Sequence, residues 1–184
     1  NQINDILLNI KEQYGINYKW GNIHSQNWMN NWRKFFKPLK IKDQVMIVPD
    51  WDHEKYNINY LIRICPAMAF GTGHHASTQL IIEQMIEYDV SQYNSLLDLG
   101  SGSGILSILA KKMGITDITA IEIDPVCQDN FYENCKLSKV DEIDFHVSNV
   151  HDYSNYNYDF ILANIDKKNI LKILKKYESS NSKA

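Results

Sequence analysis

The segment Asp98-Leu99-Gly100-Ser101-Gly102-Ser103-Gly104 decides the fold that we predict for this chain. It begins inside the apolar run Ser95–Leu99 and leads into a helical pattern over Gly104–Met113. Glycine permits tight turns and lets a backbone approach a ligand closely. The first N–H groups of the following helix have no partner inside that helix and are free to bind a ligand. The segment therefore predicts a strand, a ligand-binding turn and a helix, although this pattern alone also fits dinucleotide binding.

Strand and helix patterns alternate on both sides of this turn. Alternation of short apolar strands with helices of about 10–13 residues is typical of a parallel α/β sheet. The predicted strands are Ser95–Leu99, Ile118–Ile123, Ile143–Val147 and Tyr158–Ile165, and the predicted helices are Thr78–Tyr88, Gly104–Met113, Pro125–Leu137 and Lys167–Tyr177.

The first 65 residues have a mixed pattern. Two runs rich in β-branched residues, Lys40–Val48 and Ile58–Ile64, flank the polar stretch Pro49–Asn57, so we predict that they pair as a β-hairpin. Before them, apolar spacing predicts a helix over Ile3–Tyr14, a short strand over Ile16–Trp20 and a helix over Gln26–Phe36.

Composition excludes several classes of protein. The chain has 184 residues, 44% hydrophobic and 22% charged, with a formal net charge of -3. These values are typical of one globular domain with a small appendage, and the charge gives no indication of bulk nucleic-acid binding. Three cysteines do not make a disulfide framework in a chain of this length, which favours the cytoplasm. Since no apolar run reaches about 18 residues, we expect no membrane span. The first residues do not have the pattern of a signal peptide, so we expect none.

An acidic residue, Glu122, lies 22 positions after Gly100, a spacing typical of a ribose-binding carboxylate. Glu122 ends the next predicted strand, where a carboxylate can accept both hydroxyl hydrogens of a ribose. The alternative role is a favourable charge at a helix N-terminus, for which Asp124, just before Pro125, is the better candidate. Ile123 either covers one face of an adenine or belongs to the core.

The glycine turn differs from the dinucleotide-binding fingerprint, and a second glycine-containing stretch, 64–78, precedes it. The turn reads G-S-G-S-G rather than the dinucleotide fingerprint G-x-G-x-x-G. The stretch contains AFGTGHHAST at 69–78, which reads as a loop leading into a helix. Ser77 or Thr78 is expected to be the N-cap of that helix.

With these segments the chain resembles the ribosomal protein L11 methyltransferases, which are class I enzymes that use S-adenosylmethionine. The resemblance runs from about Trp28 to Leu174. It rests on AFGTGHHAST (69–78), DLGSGSGILSILAKKMG (98–114), IEIDP (121–125), ILANI (161–165) and FFKPLKIKDQVMIVPDW (35–51).

The resemblance implies a role for individual residues. Asn164 would lie between cofactor and substrate amine as the catalytic residue, Thr78 would contact the cofactor, and Gly100 would approach its methionine part. Glu122 would hold the ribose and Asn149 the adenine. The implied cofactor-binding set also includes Phe70, Thr72 and Gly73 in a covering loop, and Asp98, Ser101, Gly102 and Ile123.

Three positions depart from the family pattern. His74 and Ala76 stand where many members have Thr and Pro, and Asp166 stands where they have Leu. We expect an altered loop from the first two. We expect no metal site, because the adjacent His74 and His75 point to different sides and no Cys-x-x-Cys accompanies them.

The resemblance also implies a domain organisation and a function. Residues 1–24 would be part of a substrate-recognition domain, 25–65 a linker helix and hairpin, and 66–184 a Rossmann-like catalytic domain with four parallel strands of the usual seven. The expected function is N-methylation of the N-terminal and lysine amino groups of ribosomal protein L11 by a cytoplasmic monomer. The alternatives are a class I methyltransferase for another amine or for nucleic acid, and an inactive cofactor-binding fragment.

Overall fold

This computed structural model describes residues 2–17, 36–66 and 71–181. The chain divides into two units, Asn1–Phe36 and Lys37–Ala184. In the first unit, helix α1 spans Gln2–Tyr14, which confirms the predicted helix. Ile16 and Asn17 are not in a strand. The rest of that predicted strand, and the following helix up to residue 35, lie outside the described residues, and the boundaries at residues 24 and 65 stay predictions.

The second unit contains two sheets. Strands β1 (Leu39–Ile41), β2 (Val45–Pro49) and β3 (Tyr60–Ile64) form a three-stranded sheet in that order. Strands β4 (Ser95–Leu99), β5 (Asp117–Glu122), β6 (Asp144–Val147) and β7 (Phe160–Ala163) form a parallel sheet in the order β6-β5-β4-β7. The helices of this unit are α2 (Ala76–Glu87), α3 (Ile105–Met113), α4 (Cys127–Ser138) and α5 (Lys167–Asn181), with a short 3-10 turn at Val90–Gln92. The predicted α/β class with four parallel strands is confirmed.

The antiparallel pair in the three-stranded sheet is not the pair that the sequence predicts. Strands β2 and β3 run parallel, with Val45 opposite Tyr60, so the hairpin expected between the two runs is wrong. The antiparallel pair is β1–β2, inside the first run. Its turn has positive φ angles of 48° at Lys42 and 53° at Asp43, the backbone that a tight hairpin requires. Neither residue is glycine or asparagine, which is why the sequence did not mark the turn.

The parallel sheet is covered on both faces. Successive residues of a strand point to opposite faces, and β4 shows this clearly. Asp98 meets Ser107 of α3 on one face. Leu97 and Leu99 pack on the other face with Ile121. That second face is closed by Tyr156 and Ile173, from the segment before β7 and from α5. The central strands β4 and β5 are therefore almost entirely buried.

Helix α4 supplies hydrogen bonds to the free edge of β3. Asn134 is completely buried, and its Oδ1 accepts from Cys65 N at 2.7 Å while its Nδ2 donates to Ser103 O at 2.8 Å. Asn130 Nδ2 donates to Cys65 O at 2.9 Å. Ser138 Oγ accepts from Arg63 N and donates to Arg63 O, both at 2.9 Å. The edge of β3 is thus paired with side chains rather than with another strand.

No helix within the described ranges is long and apolar enough to cross a membrane.

Replacing Asn134 by Ala is expected to destabilise the chain by roughly 2–4 kcal/mol. The change removes two buried hydrogen bonds, from Cys65 N–H and to Ser103 C=O, and each lost partner costs about 1–3 kcal/mol. Urea unfolding measures the effect. The control is Glu133→Ala, an exposed neighbour on the same helix. Equal losses in the two variants would contradict the bridging role of Asn134.

Candidate functional site

A cleft of about 750 Å³ opens at the carboxyl ends of the parallel strands. The chain runs outward from β4 to β5 and β6 and then returns to place β7 on the other side of β4. Ligands of open α/β sheets bind at such a reversal of strand order. Of the predicted site residues, the cleft is lined by Thr78, Gly100, Ser101, Gly102, Glu122, Ile123, Asn149 and Asn164.

The glycine turn forms the floor of this cleft. Gly100 N and Ser101 N both donate to Ile121 O, at 2.8 and 3.1 Å, and this ties the turn to β5. Gly100 has a φ of 80°, and a Cβ added there would lie 2.3 Å from Ile165 Cγ2. The turn therefore passes so close to Ile165, the second residue after β7, that only glycine fits.

Glu122 binds the turn from the neighbouring strand. Its Oε2 accepts from Gly102 N at 2.9 Å. Its Oε1 accepts from Ile123 N at 2.8 Å and from Asp124 N at 3.1 Å. A carboxylate has about four lone-pair positions, so Glu122 can still accept from a ligand hydroxyl. Asp124 Oδ1 accepts from Val126 N at 3.0 Å, just before α4, which agrees with the helix-start role expected for Asp124.

Thr78 and Asn164 meet although 86 positions separate them in the sequence. Asn164 Nδ2 donates to Thr78 Oγ1 at 3.0 Å, and Thr78 is buried. This bond fixes the orientation of the amide. Its acceptor atom, Oδ1, is not used in this bond. No residue in the described part of the chain is a hydrogen-bond donor to that oxygen. The helix containing Thr78 is capped by His75, whose Nδ1 accepts from Ser77 N at 3.3 Å, so the N-cap predicted at Ser77 or Thr78 is wrong.

Asp98 is completely buried beneath the turn and does not line the cleft. Burial raises the pKa of its carboxyl to about 6, although the hydrogen bond from Ser107 Oγ to Oδ2 at 2.6 Å acts in the opposite direction. Asp98 Oδ1 and Ser101 Oγ are buried without a hydrogen-bond partner among the described residues. Asp98 thus supports the turn from within the core.

The loop predicted to cover the cofactor is only partly placed. Phe70 lies outside the described residues. Thr72 and Gly73 do not line the cleft, and a Cβ at Gly73 would lie 2.7 Å from Ile47 Cδ1. Gly71 does line it, and its carbonyl accepts a hydrogen bond from Ser103 Oγ.

Three further cleft residues, His151, Asp166 and Asn169, are connected by hydrogen bonds, and the sequence motifs do not mark them as binding residues. His151 Nε2 lies 2.7 Å from Asn169 Oδ1, and Asn169 Nδ2 donates to Asp166 Oδ2 at 2.5 Å. Asp166 Oδ1 also accepts from Lys168 N and Asn169 N, at 3.0 and 3.1 Å. The backbone N–H of Asn169 is the main cause of a lowered pKa at Asp166. Asp166, which departs from the family pattern, therefore accepts hydrogen bonds from the first turn of α5. The polar residue Asn169 in that turn is the sequence signal that could have marked these residues as part of the cleft.

The cleft is acidic. Its lining contains the carboxylates of Glu122, Asp124 and Asp166 but no Lys or Arg from the described part of the chain. Burial raises the pKa of the Cys127 thiol, which also lines the cleft, so this thiol is not a ready nucleophile. Residues 2–17, 36–66 and 71–181 contain no cluster of His, Cys, Asp and Glu suited to a metal ion.

The family model described as "Ribosomal protein L11 methyltransferase" matches residues 1–183. The chain belongs to this family. The ribosomal protein L11 methyltransferase of Clostridium perfringens is 31% identical in an alignment of 175 residues, and the match covers 89% of this chain and 56% of the relative. That of Dictyoglomus turgidum is 36% identical in an alignment of 176 residues, and the match covers 93% of this chain and 58% of the relative.

A solved structure shares the fold. The crystal structure of ribosomal protein L11 methylase from Lactobacillus delbrueckii subsp. bulgaricus has a TM-score of 0.70 and 27% identity, and the match covers 78% of this chain and 74% of that chain. The two curated relatives are longer than this chain, which spans 56–58% of their length.

Gly100→Ala is expected to destabilise the chain more than Gly114→Ala. Both glycines have positive φ, 80° and 109°, and a left-handed backbone costs a side chain about 1–2 kcal/mol. Only at Gly100 does the new methyl also collide with Ile165, which adds about 1–3 kcal/mol. Thermal or urea unfolding measures the difference. The Ile165→Ala change should recover part of it in the double variant, and equal losses at the two glycines would contradict the close approach.

Asp98→Asn is expected to gain stability relative to wild type as the pH rises from about 4 to 7. The ordinary pKa of Asp is 3.8, while that of folded Asp98 is about 6. Between these values the folded state binds more protons than the unfolded state, so the free energy of unfolding of wild type falls with rising pH. The relative gain should approach roughly 3 kcal/mol.

Urea unfolding across this pH range measures that gain. Asp159→Asn is the control of opposite sign, because backbone N–H groups of Asn94 and Ser95 lower the pKa of Asp159. That variant should lose stability relative to wild type as the pH rises through the acid range to about 4. A pH-independent difference between wild type and Asp98→Asn would contradict the buried state of Asp98.

Proposed function

We propose that the cleft binds S-adenosylmethionine and that the protein transfers its methyl group to amino groups of ribosomal protein L11. Because this chain spans 56–58% of its curated relatives, the transfer is proposed for the whole protein and the binding for this chain. The substrate places the proposed reaction in the cytoplasm. The monomeric state stays an expectation from the sequence.

The charge of the cleft is the observation that supports this proposal most strongly. Three carboxylates line it, with no Lys or Arg among the described lining residues. Such a lining favours a cation, and S-adenosylmethionine has a positively charged sulfonium. It disfavours the pyrophosphate of a dinucleotide. Gly102 N, one of the N–H groups that would hold a phosphate, already donates to Glu122.

The shape of the cleft and its unpartnered groups also fit this cofactor. A volume of about 750 Å³ lies within the range of roughly 300–1,000 Å³ typical of small-molecule sites. The turn at Gly100 has no side chain to obstruct a ligand, and the buried Ser101 Oγ has no partner within the described residues. Glu122 keeps about one lone-pair position for a ribose hydroxyl. When bound, the cofactor supplies an electrophilic methyl group on sulfur.

Asn164 is proposed to orient the substrate amine. Because its Nδ2 is held by Thr78, its Oδ1 can accept an N–H from an amine that enters the cleft. That hydrogen bond would aim the nitrogen lone pair and so reduce the entropic cost of an in-line approach. Thr78 acts here as a positioning residue for the amide.

The chain offers no strong base for the amine proton among the acidic residues of the cleft. Asp166 has a lowered pKa and accepts three hydrogen bonds, so it is a poor proton acceptor. The amine is therefore proposed to react after it loses its proton to water. Positioning, rather than general base catalysis, is the main contribution of these residues.

Calorimetry with S-adenosylhomocysteine tests cofactor binding. We expect wild type to bind it and to bind NAD at least about tenfold more weakly. Glu122→Ala should weaken binding of S-adenosylhomocysteine by about 10–100-fold, since hydrogen bonds to charged groups contribute about 1.5–3 kcal/mol. Glu133→Ala, on the exposed face of α4, is the matched control. Binding of NAD alone, or no binding at millimolar ligand, would refute the proposal.

A transfer assay with labelled cofactor and purified L11 tests the role of Asn164. Asn164→Ala is expected to lower the rate at least about tenfold, since the amine loses its orienting acceptor. Asn157→Ala, at an exposed position before β7, is the control and should match wild type. An unchanged rate in Asn164→Ala would remove Asn164 from the mechanism. Binding without transfer to any amine would favour a cofactor-binding module.

A further inference from the structure

A series of three hydrogen-bonded side chains in the cleft determines the tautomer of His151. Asp166 accepts hydrogen bonds only, because its lowered pKa keeps the carboxyl ionised. Asn169 therefore directs its Nδ2 to Asp166, and its Oδ1 faces His151. An amide oxygen is an acceptor, so the nitrogen of His151 that lies 2.7 Å away, Nε2, must have the proton. In this tautomer the lone pair of the ring is on Nδ1.

The backbone of His151 is held as firmly as its ring. His151 N donates to Asn149 Oδ1 at 2.9 Å, and His151 O accepts from Lys176 Nζ at 2.8 Å. Lys176 Nζ also donates to Tyr153 O at 2.6 Å, which fixes the same loop to α5. Nδ1 has no hydrogen-bond partner in the ranges that the structure describes. An acceptor with this much support and no partner is typical of a binding residue.

Asn149 can supply adenine with a donor, but its single acceptor atom already has a partner. Its Oδ1 accepts from His151 N, which leaves Nδ2 as a donor and one lone pair on Oδ1. Nδ2 suits a ring nitrogen of adenine, whereas the exocyclic amino group needs an acceptor. His151 Nδ1, two positions further along the same loop, has no partner in the described ranges, and His151 lines the same cleft. A donor and an acceptor on one loop complement the amino edge of adenine.

We propose that His151 accepts a hydrogen bond from the adenine amino group, so that His151 and Asn149 together select adenine over a 6-oxopurine. This inference rests on the proposed binding of S-adenosylmethionine, because it names the part of that cofactor which His151 contacts. Asn169 and Asp166 are positioning residues that select the tautomer with the proton on Nε2 and the lone pair on Nδ1. A 6-oxopurine places an oxygen against the Nδ1 lone pair and is rejected.

Calorimetry with two ligands tests the proposal: S-adenosylhomocysteine and S-inosylhomocysteine, in which an oxo group replaces the amino group. Wild type is expected to prefer the adenine compound at least about tenfold, the value of one hydrogen bond of about 1.4 kcal/mol. His151→Leu should abolish the preference by weakening only the adenine compound. His151→Gln, whose amide oxygen can replace Nδ1, should retain most of the affinity. His146→Leu is the control, because the exposed His146 ring bonds Asp144 instead.

The outcomes separate this inference from the function on which it rests. If wild type binds neither compound, the proposed function fails and the role of His151 fails with it. If wild type binds the adenine compound and His151→Leu weakens both ligands equally, His151 has a structural role only and this inference is overturned. An unchanged preference in His151→Leu overturns it too, while cofactor binding stands.

Discussion

The second unit depends on the match between one helix and the edge of one strand. Along β3 and its continuation, alternate residues on the open edge are about 6.6 Å apart. Along a helix, residues four apart are separated by about 6 Å. Asn130, Asn134 and Ser138 follow this helical spacing and pair with the backbone of Arg63 and Cys65. The near equality of the two repeats lets α4 satisfy the strand edge that would otherwise be unpaired.

This pairing extends to the binding cleft through a single side chain. Asn134 bonds both Cys65 N and Ser103 O, so the glycine turn and the end of β3 share one buried amide. Ser103 in turn donates to Gly71 O, at the margin of the cleft. The position of the turn is therefore determined by contacts from behind the cleft as well as by the strands beside it. Buried amides in such a network are costly to disturb, since each removal leaves polar groups unsatisfied.

The sequence could predict the parts of the fold that depend on local pattern. The alternation of apolar strands and helices identified β4 to β7 and the parallel sheet, and the helical spacing identified α1. The hairpin was misplaced because its turn at Lys42 and Asp43 has left-handed backbone without glycine. The role of α4 was missed because its signal, polar residues four apart on a buried face, becomes meaningful only beside an unpaired strand.

The candidate site divides in the same way. The glycine turn and the strand pattern could indicate Gly100 and Glu122, which lie at the ends of predicted strands, and the family resemblance indicated Asn164. They could not indicate which polar atoms are already occupied, because that depends on contacts across the fold. Glu122 proves to support Gly102, and Asn149 proves to support His151. Only these contacts show which lone pairs are left for a ligand.

The occupied groups have a physical consequence for binding. Glu122 is fixed by backbone N–H groups and Asn164 by Thr78, so neither side chain needs to be ordered when a ligand arrives. Immobilising a side chain on binding costs about 0.5–1.5 kcal/mol, and here that cost is met during folding. Asp98 Oδ1 and Ser101 Oγ are buried without a partner among the described residues, and buried polar atoms without partners destabilise a fold. Stability is thus given up at the turn so that the cleft is preorganised, a balance that is expected where binding geometry is under constraint.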